Sequence, residues 1–178
     1  MSDFRHLMST VIEKSNSSDW HSAVHEWDII AMEEDEDADS ICICGNTGLR
    51  YLYEIKNSRN DNTLFPIGST CIKQFERDDL NQEIINREMM FKLVNAVKQR
   101  QMIYLKSELF SRKFLLYLYE HDAFEETKYN GFDGYNDYKF MLNMFNKRER
   151  TAAQEKKATA IIMNSIIPYV RSQIRGER

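Results

Sequence analysis

Cys42-Ile43-Cys44-Gly45 and Gly68-Ser69-Thr70-Cys71-Ile72 decide how this chain is read, because they hold all three of its cysteines. Three thiols cannot all pair within one chain, and a cytosolic cysteine cluster points to metal rather than to disulfides. Two cysteines on a tight turn supply one edge of a ligand tetrahedron. Gly45 permits the positive φ that lets backbone N–H groups point at sulfur. Ser69 reads as a helix cap, which puts Cys71 in a first helical turn, where free N–H groups favour a thiolate. Taken singly, each thiol reads equally well as a small buried hydrophobe. Clustered with turn and capping signals, the three predict one structural zinc ion.

Between the two segments the pattern is that of a hairpin. Gly45-Asn46-Thr47-Gly48 is a turn, and it lacks the lysine and hydroxyl residue of a phosphate loop. Leu49, Tyr51, Tyr53 and Ile55 alternate with Arg50, Glu54 and Lys56, as in a strand with one buried face. Residues 57–63 are a polar turn, and Leu64-Phe65-Pro66-Ile67 is an edge strand, since Pro66 has no N–H to donate. Cysteine turn, hairpin, then a cysteine at a helix start resembles the treble-clef arrangement. It departs from it in two ways: the turn is Cys-x-Cys rather than Cys-x-x-Cys, and Lys73 and Gln74 follow Cys71 where a second ligand usually sits. The fourth ligand must come from elsewhere. His21 and His25 stand one helical turn apart just upstream; His25 is the expected ligand and His21 the alternative, with His6 and His121 outside the module. A catalytic zinc needs an open position and a general base. Glu26 beside His25 is the candidate for that role, though one Glu next to one His is common by chance.

Upstream, residues 2–15 carry a helical stripe of Phe4, Leu7, Met8, Val11 and Ile12 with Ser2 as cap. A short helix over 19–26, capped by Ser18, and a strand over 27–32 follow. Glu33-Glu34-Asp35-Glu36-Asp37-Ala38-Asp39 places six acids in seven residues, a self-repelling run expected to be a solvated loop. From Leu80 the chain changes character. A helix of about five turns begins there, then helices over 101–110 and 112–121, another marked by Tyr138, Met141, Leu142 and Phe145, and a last one over 151–174 with a break near Pro168. The expected fold class is α+β, mostly helical: a zinc-binding module over 1–79 and a helical domain over 80–178.

Composition narrows the function classes. The 178 residues are 42% hydrophobic, enough for a real core, and only 6 are Gly and 2 Pro, which argues against long linkers. The net charge of −4 is neither that of a general nucleic-acid binder nor that of a full mimic of DNA. Charge divides at the same boundary: residues 1–80 hold 7 Lys+Arg against 16 Asp+Glu, and residues 81–178 hold 17 against 12. No window reaches the length of a membrane span, and Met1-Ser2-Asp3-Phe4-Arg5-His6 lacks a signal-peptide pattern, so a cytoplasmic protein is expected. The aromatic run Phe114, Tyr117, Tyr119, Phe124, Tyr129, Phe132, Tyr135, Tyr138 and Phe140 could stack bases, but its helical spacing reads as core. Lys147-Arg148-Glu149-Arg150 and Lys156-Lys157 read as a solvated helix face.

Over roughly residues 23–76, the upstream tryptophan strand, Cys42-Ile43-Cys44-Gly45, a strand ending at Lys56-Asn57, and Ile67-Gly68-Ser69-Thr70-Cys71-Ile72-Lys73-Gln74-Phe75 resemble a module of small phage and mobile-element proteins. Phe140-Met141-Leu142 and Thr151-Ala152-Ala153-Gln154 resemble the helical tail that often follows it. Other members often carry a further Cys or His soon after the Cys-x-Cys-Gly, where this chain has residues 46–53, which leaves the fourth ligand open. Such proteins are mostly accessory factors that act by binding. More loosely, the chain resembles metal-binding anti-CRISPR proteins of streptococcal phages, which inhibit type II Cas9. That resemblance implies a non-enzymatic inhibitor in the host bacterial cytoplasm, binding Cas9 or another host defence nuclease. The partner-binding residues would be Glu33, Glu34, Asp35, Glu36, Asp37 and Asp39, docking on a basic surface and impeding target-DNA loading. The alternative is a zinc module that binds nucleic acid directly; a metal-dependent hydrolase is a third reading.

Overall fold

Trp27 is the residue around which the N-terminal unit packs. It opens strand β1 (Trp27–Glu34) fully buried, and its indole N–H donates to Ser15 Oγ at 2.8 Å, tying the strand to the end of helix α1 (Phe4–Glu13). The computed structural model describes residues 4–176, so the Ser2 cap expected for α1 lies outside the described residues. Helix α1 buries Leu7 and Val11 from its predicted stripe. Helix α2 (Trp20–Ala23) is shorter than expected and is capped by Asp19, whose carboxylate accepts the Ser22 amide at 2.9 Å; Ser18 plays no part in the cap. A 3-10 turn, Val24–Glu26, completes the segment. Trp20 stands edge-on between Phe4 and Phe75, each ring centroid 5.4 Å away.

Strand β4 (Tyr51–Asn57) is the centre of an antiparallel sheet ordered β1-β4-β5, with β5 (Thr63–Ile67) on the edge, where Pro66 leaves no ladder donor missing. The predicted alternation buries Tyr53 and Ile55 against Trp27, Leu64 and Ile67. Strands β2 (Ser40–Ile41) and β3 (Thr47–Leu49) pair separately around the cysteine turn. Helix α3 (Ser69–Lys73) has Gly68 as its cap residue, with no side-chain cap, so Ser69 is its first residue. Arg77 then locks the unit: its guanidinium donates to the carbonyls of Val24 and Trp27 and pairs with Asp28 and Asp79 at 3.2 and 2.6 Å.

The chain divides into two units, Met1–Ile84 and Ile85–Arg178, so the boundary falls inside helix α4 (Asp78–Lys98) rather than at its start. Leu80 and Ile84 belong to the N-terminal core, while Met89, Leu93 and Ala96 belong to the C-terminal one. The helix expected over 101–110 is absent. Arg100 takes φ +55, and the chain then runs irregularly, with buried Ile103 and Leu105 alternating with exposed Met102 and Tyr104. Alternation of period two, not a helical stripe, is what that segment buries.

Ser111 caps α5 (Arg112–Glu120) through the Phe114 amide, and Asp133 caps α6 (Gly134–Phe145) through that of Tyr135. Thr151-Ala152-Ala153-Gln154 is a capping box at the start of α7 (Ala152–Ile161). A π-helical turn, Ile162–Ile166, separates α7 from α8 (Ile167–Gly176). The expected break at Pro168 thus appears as this turn just before the residue whose missing N–H breaks the ladder. Phe110, Phe114, Leu118, Met141, Ile162, Ile166 and Val170 fill the core of this unit. No helix among the described residues is long and apolar enough to cross a membrane.

Candidate metal centre

The two cysteine segments meet because the turn between β2 and β3 is pinned to the end of β5. The Cys42 amide donates to Asn46 O at 2.7 Å and the Gly45 amide back to Cys42 O at 2.7 Å, with Gly45 at φ +86. The Ile43 amide reaches Pro66 O at 2.9 Å, which sets the turn against the hairpin that leads into α3. The Gly68 amide donates to Cys42 Sγ at 3.4 Å, and one residue into α3 beyond Ser69 and Thr70 comes Cys71.

The outcome is a buried trithiol. Cys71 Sγ lies 3.6 Å from Cys42 Sγ and 3.2 Å from Cys44 Sγ, and all three ligand atoms fall within 4.8 Å of one another. The three cysteines are at most 4% exposed, and none is in a disulfide. The hydrogen bond shared with the Cys71 sulfur is the main force pulling Cys42 down to about 5; burial opposes it, and the Cys44 and Gly68 amides and the Cys44 thiol assist. Cys71 is pushed up by its hydrogen bonds with Cys42 and Cys44, by burial, and by the charge of those neighbours. Sulfurs that share protons at this separation are arranged for a metal ion, which replaces the protons as the shared partner.

The structure brings together Cys42, Cys44 and Cys71, and not His25. His25 and His21 are both exposed, and neither joins the cluster of ligand atoms. The reason is packing: Val24 and Glu26 on either side of His25 are taken into the core, and three residues per turn then leave the histidine facing outward.

Glu26 has a different role from that of a base. Its carboxylate accepts from the Asn16 amide (2.8 Å), the Ser17 amide (2.9 Å), the Ser17 hydroxyl (2.6 Å) and Asn57 Nδ2 (2.8 Å), with Arg59 3.5 Å away. It is a fully buried anchor that joins the end of α1 to the sheet, and a carboxylate so saturated has no free lone pair for a reacting proton. Residue order shows nothing of this, because its hydrogen-bonding partners lie up to 31 positions away.

The acidic run is also more ordered than a repelling loop. Asp35 accepts from the amides of Asp37, Ala38, Asp39 and Ser40 at 2.9 to 3.2 Å and from the Ser40 hydroxyl at 2.6 Å. The Ser40 hydroxyl leads in holding this carboxyl below its ordinary range. Glu34 pairs with Arg50 at 2.9 Å. Glu33, Glu36, Asp37 and Asp39 are exposed.

Fold and site together define the class: an α+β protein whose N-terminal unit carries small antiparallel sheets and a buried three-cysteine centre suited to a metal ion, followed by a helical unit. Compared with protein-family models, curated proteins and solved structures, the chain matches none.

Proposed function

We propose that the N-terminal unit is stapled by one structural zinc on Cys42, Cys44 and Cys71, its fourth position filled by a ligand from outside this cluster, and that the protein works by binding rather than by catalysis. Tetrahedral zinc with Zn–S bonds of about 2.3 Å sets its sulfurs about 3.8 Å apart. The separations of 3.2 and 3.6 Å need only a small expansion to admit it. The site is buried, and its nearest candidate for a base, Glu26, is consumed by the fold; both favour a structural ion. When bound, zinc would supply cross-linking between the cysteine turn and α3, and the chain's own residues would do the recognition.

The observation that carries the binding reading is the form of the acidic loop. Asp35 gathers the loop backbone around its carboxylate, so Glu36, Asp37 and Asp39, next to Glu33 at the end of β1, are presented as a fixed group rather than a fluctuating tail. A preordered acidic surface loses little entropy on docking to a basic protein and gains in encounter rate. The partner we propose is a host defence nuclease of the Cas9 type in the bacterial cytoplasm, blocked as an anti-CRISPR protein of a phage would block it, by impeding target-DNA loading.

The test has two parts. Elemental analysis of the purified chain is expected to give about one zinc per molecule. Cas9 cleavage of target DNA is expected to fall in the presence of excess protein, and to recover with Glu36→Gln/Asp37→Asn. Absence of metal would sink the first statement; cleavage unchanged by a molar excess would sink the second.

A further inference from the structure

The C-terminal half is basic, yet six of its twelve acids fall within residues 120–137, beside a single lysine, Lys128. Five of them, Glu120, Asp122, Glu125, Glu126 and Asp133, line one open cavity of about 680 Å³ at the junction of α5, the following loop and α6. No lysine, arginine or histidine lines it; Lys139, from outside, lies over one face of the Tyr135 ring, 5.4 Å from its centroid. Asp133 is partly used as the cap of α6; among the described residues, Glu120, Asp122, Glu125 and Glu126 make no salt bridge.

The remaining walls are aromatic. Tyr119, Phe124 and Tyr135 line the same space, with the Tyr119 and Tyr135 rings 5.7 Å apart and Tyr119 stacked on Tyr138 at 4.9 Å. Gly134 lets α6 start directly against this wall: a Cβ there would stand 2.2 Å from Phe124 O. Carboxylates set around aromatic faces attract an organic cation twice, through charge and through the ring quadrupole. A compact metal ion fits less well. Among the described residues the three cysteines are the single group of three or more ligand atoms close enough to share an ion; no three of these carboxylates come that close.

The size of the surface selects the source of the cation. The loop whose two ends supply Glu126 and Asp133 carries Tyr129, 82% exposed, and Phe132, 69% exposed, neither of which lines the cavity. A free amine seated in the cavity would leave both rings in water, whereas a polypeptide crossing it would cover them. Nucleic acid is repelled by the same carboxylates. We propose that this cavity and its aromatic loop dock an arginine- or lysine-bearing segment of a partner protein. The site is independent of the metal centre and of the identity of any nuclease bound by the N-terminal unit.

The test uses the full chain and a fluorescein-labelled nine-residue peptide of arginine and glycine, followed by anisotropy. Saturable binding is expected, weakened about tenfold by Glu125→Gln/Glu126→Gln and about threefold by Tyr135→Ala. Both changes are at exposed positions, and unchanged circular dichroism would verify the fold. Glu13→Gln/Glu76→Gln removes the same charge from exposed positions of the N-terminal unit outside its acidic run and is expected to leave the affinity unchanged. The proposal is overturned if no saturable binding occurs, or if the N-terminal variant weakens binding as much as the cavity variant. It is equally overturned if spermine competes at the concentration of peptide needed, since a small polyamine would then be the ligand.

Discussion

Glu26 shows what one buried carboxylate does to this fold. Burial opposes its charge, but the Ser17 and Asn57 side chains and the Asn16 and Ser17 amides outweigh that and hold it down at about 2, against an ordinary 4.5. A carboxyl lowered by folding contributes stability that is present above its unfolded value and is lost as pH falls through the folded one. The N-terminal unit is therefore expected to weaken as pH drops from 4.5 towards 2. Glu26→Gln should cost about 2 kcal/mol at neutral pH and flatten that dependence. Urea melts read by tryptophan fluorescence test this cleanly, because Trp20 and Trp27 are the only tryptophans and both lie in this unit. Thiol protonation acts in the same direction in the metal-loaded protein, so the informative quantity is the difference between the two chains. Identical pH profiles would show that the Glu26 network contributes nothing.

At the scale of elements, two contacts decide how segments end. Helix α6 begins at Gly134 because no side chain fits against the Phe124 carbonyl. Gly134→Ala has to move backbone rather than a flexible side chain, and a destabilisation of about 2 kcal/mol is expected by chemical denaturation. A melt equal to that of the parent would mean that the loop before α6 yields easily. In the acidic loop, Asp35→Ala removes the acceptor of four amides and one hydroxyl. Amide exchange over residues 36–40 should then accelerate at least tenfold, with β1 unaffected. Unchanged protection would assign the loop's order to something other than Asp35.

For the whole molecule, the two separate hydrophobic cores matter most. The trithiol belongs to the core built on Trp27 and Tyr53, and the helical unit has its own core around Phe114, Leu118 and Ile166. Removing metal by chelation, or one ligand by Cys71→Ser, is expected to unfold the N-terminal unit selectively. Structural zinc contributes on the order of 10 kcal/mol in small peptides, more than a unit of this size can spare. Tryptophan fluorescence should change while far-UV circular dichroism keeps the signal of the C-terminal helices. Loss of both signals together would show that the two units fold as one; loss of neither would remove the metal from the account of stability.

Local chemistry was enough to read a good deal of this protein. The tryptophan strand, the hairpin with Pro66 at its edge, the cysteine turn with Gly45, and the Thr151 box are written in neighbouring residues, because turns, caps and strand alternation depend on contacts a few positions apart. The meeting of Cys42 and Cys44 with Cys71 was legible for the same reason: a hairpin returns the chain to its start. Long-range packing decided the rest. His25 faces solvent because Val24 and Glu26 take the core, Glu26 is an anchor because Ser17 and Asn57 converge on it, and 101–110 is irregular because Ile103 and Leu105 are buried two residues apart. Each of those outcomes rests on partners distant in sequence, whose arrangement only the closed core specifies.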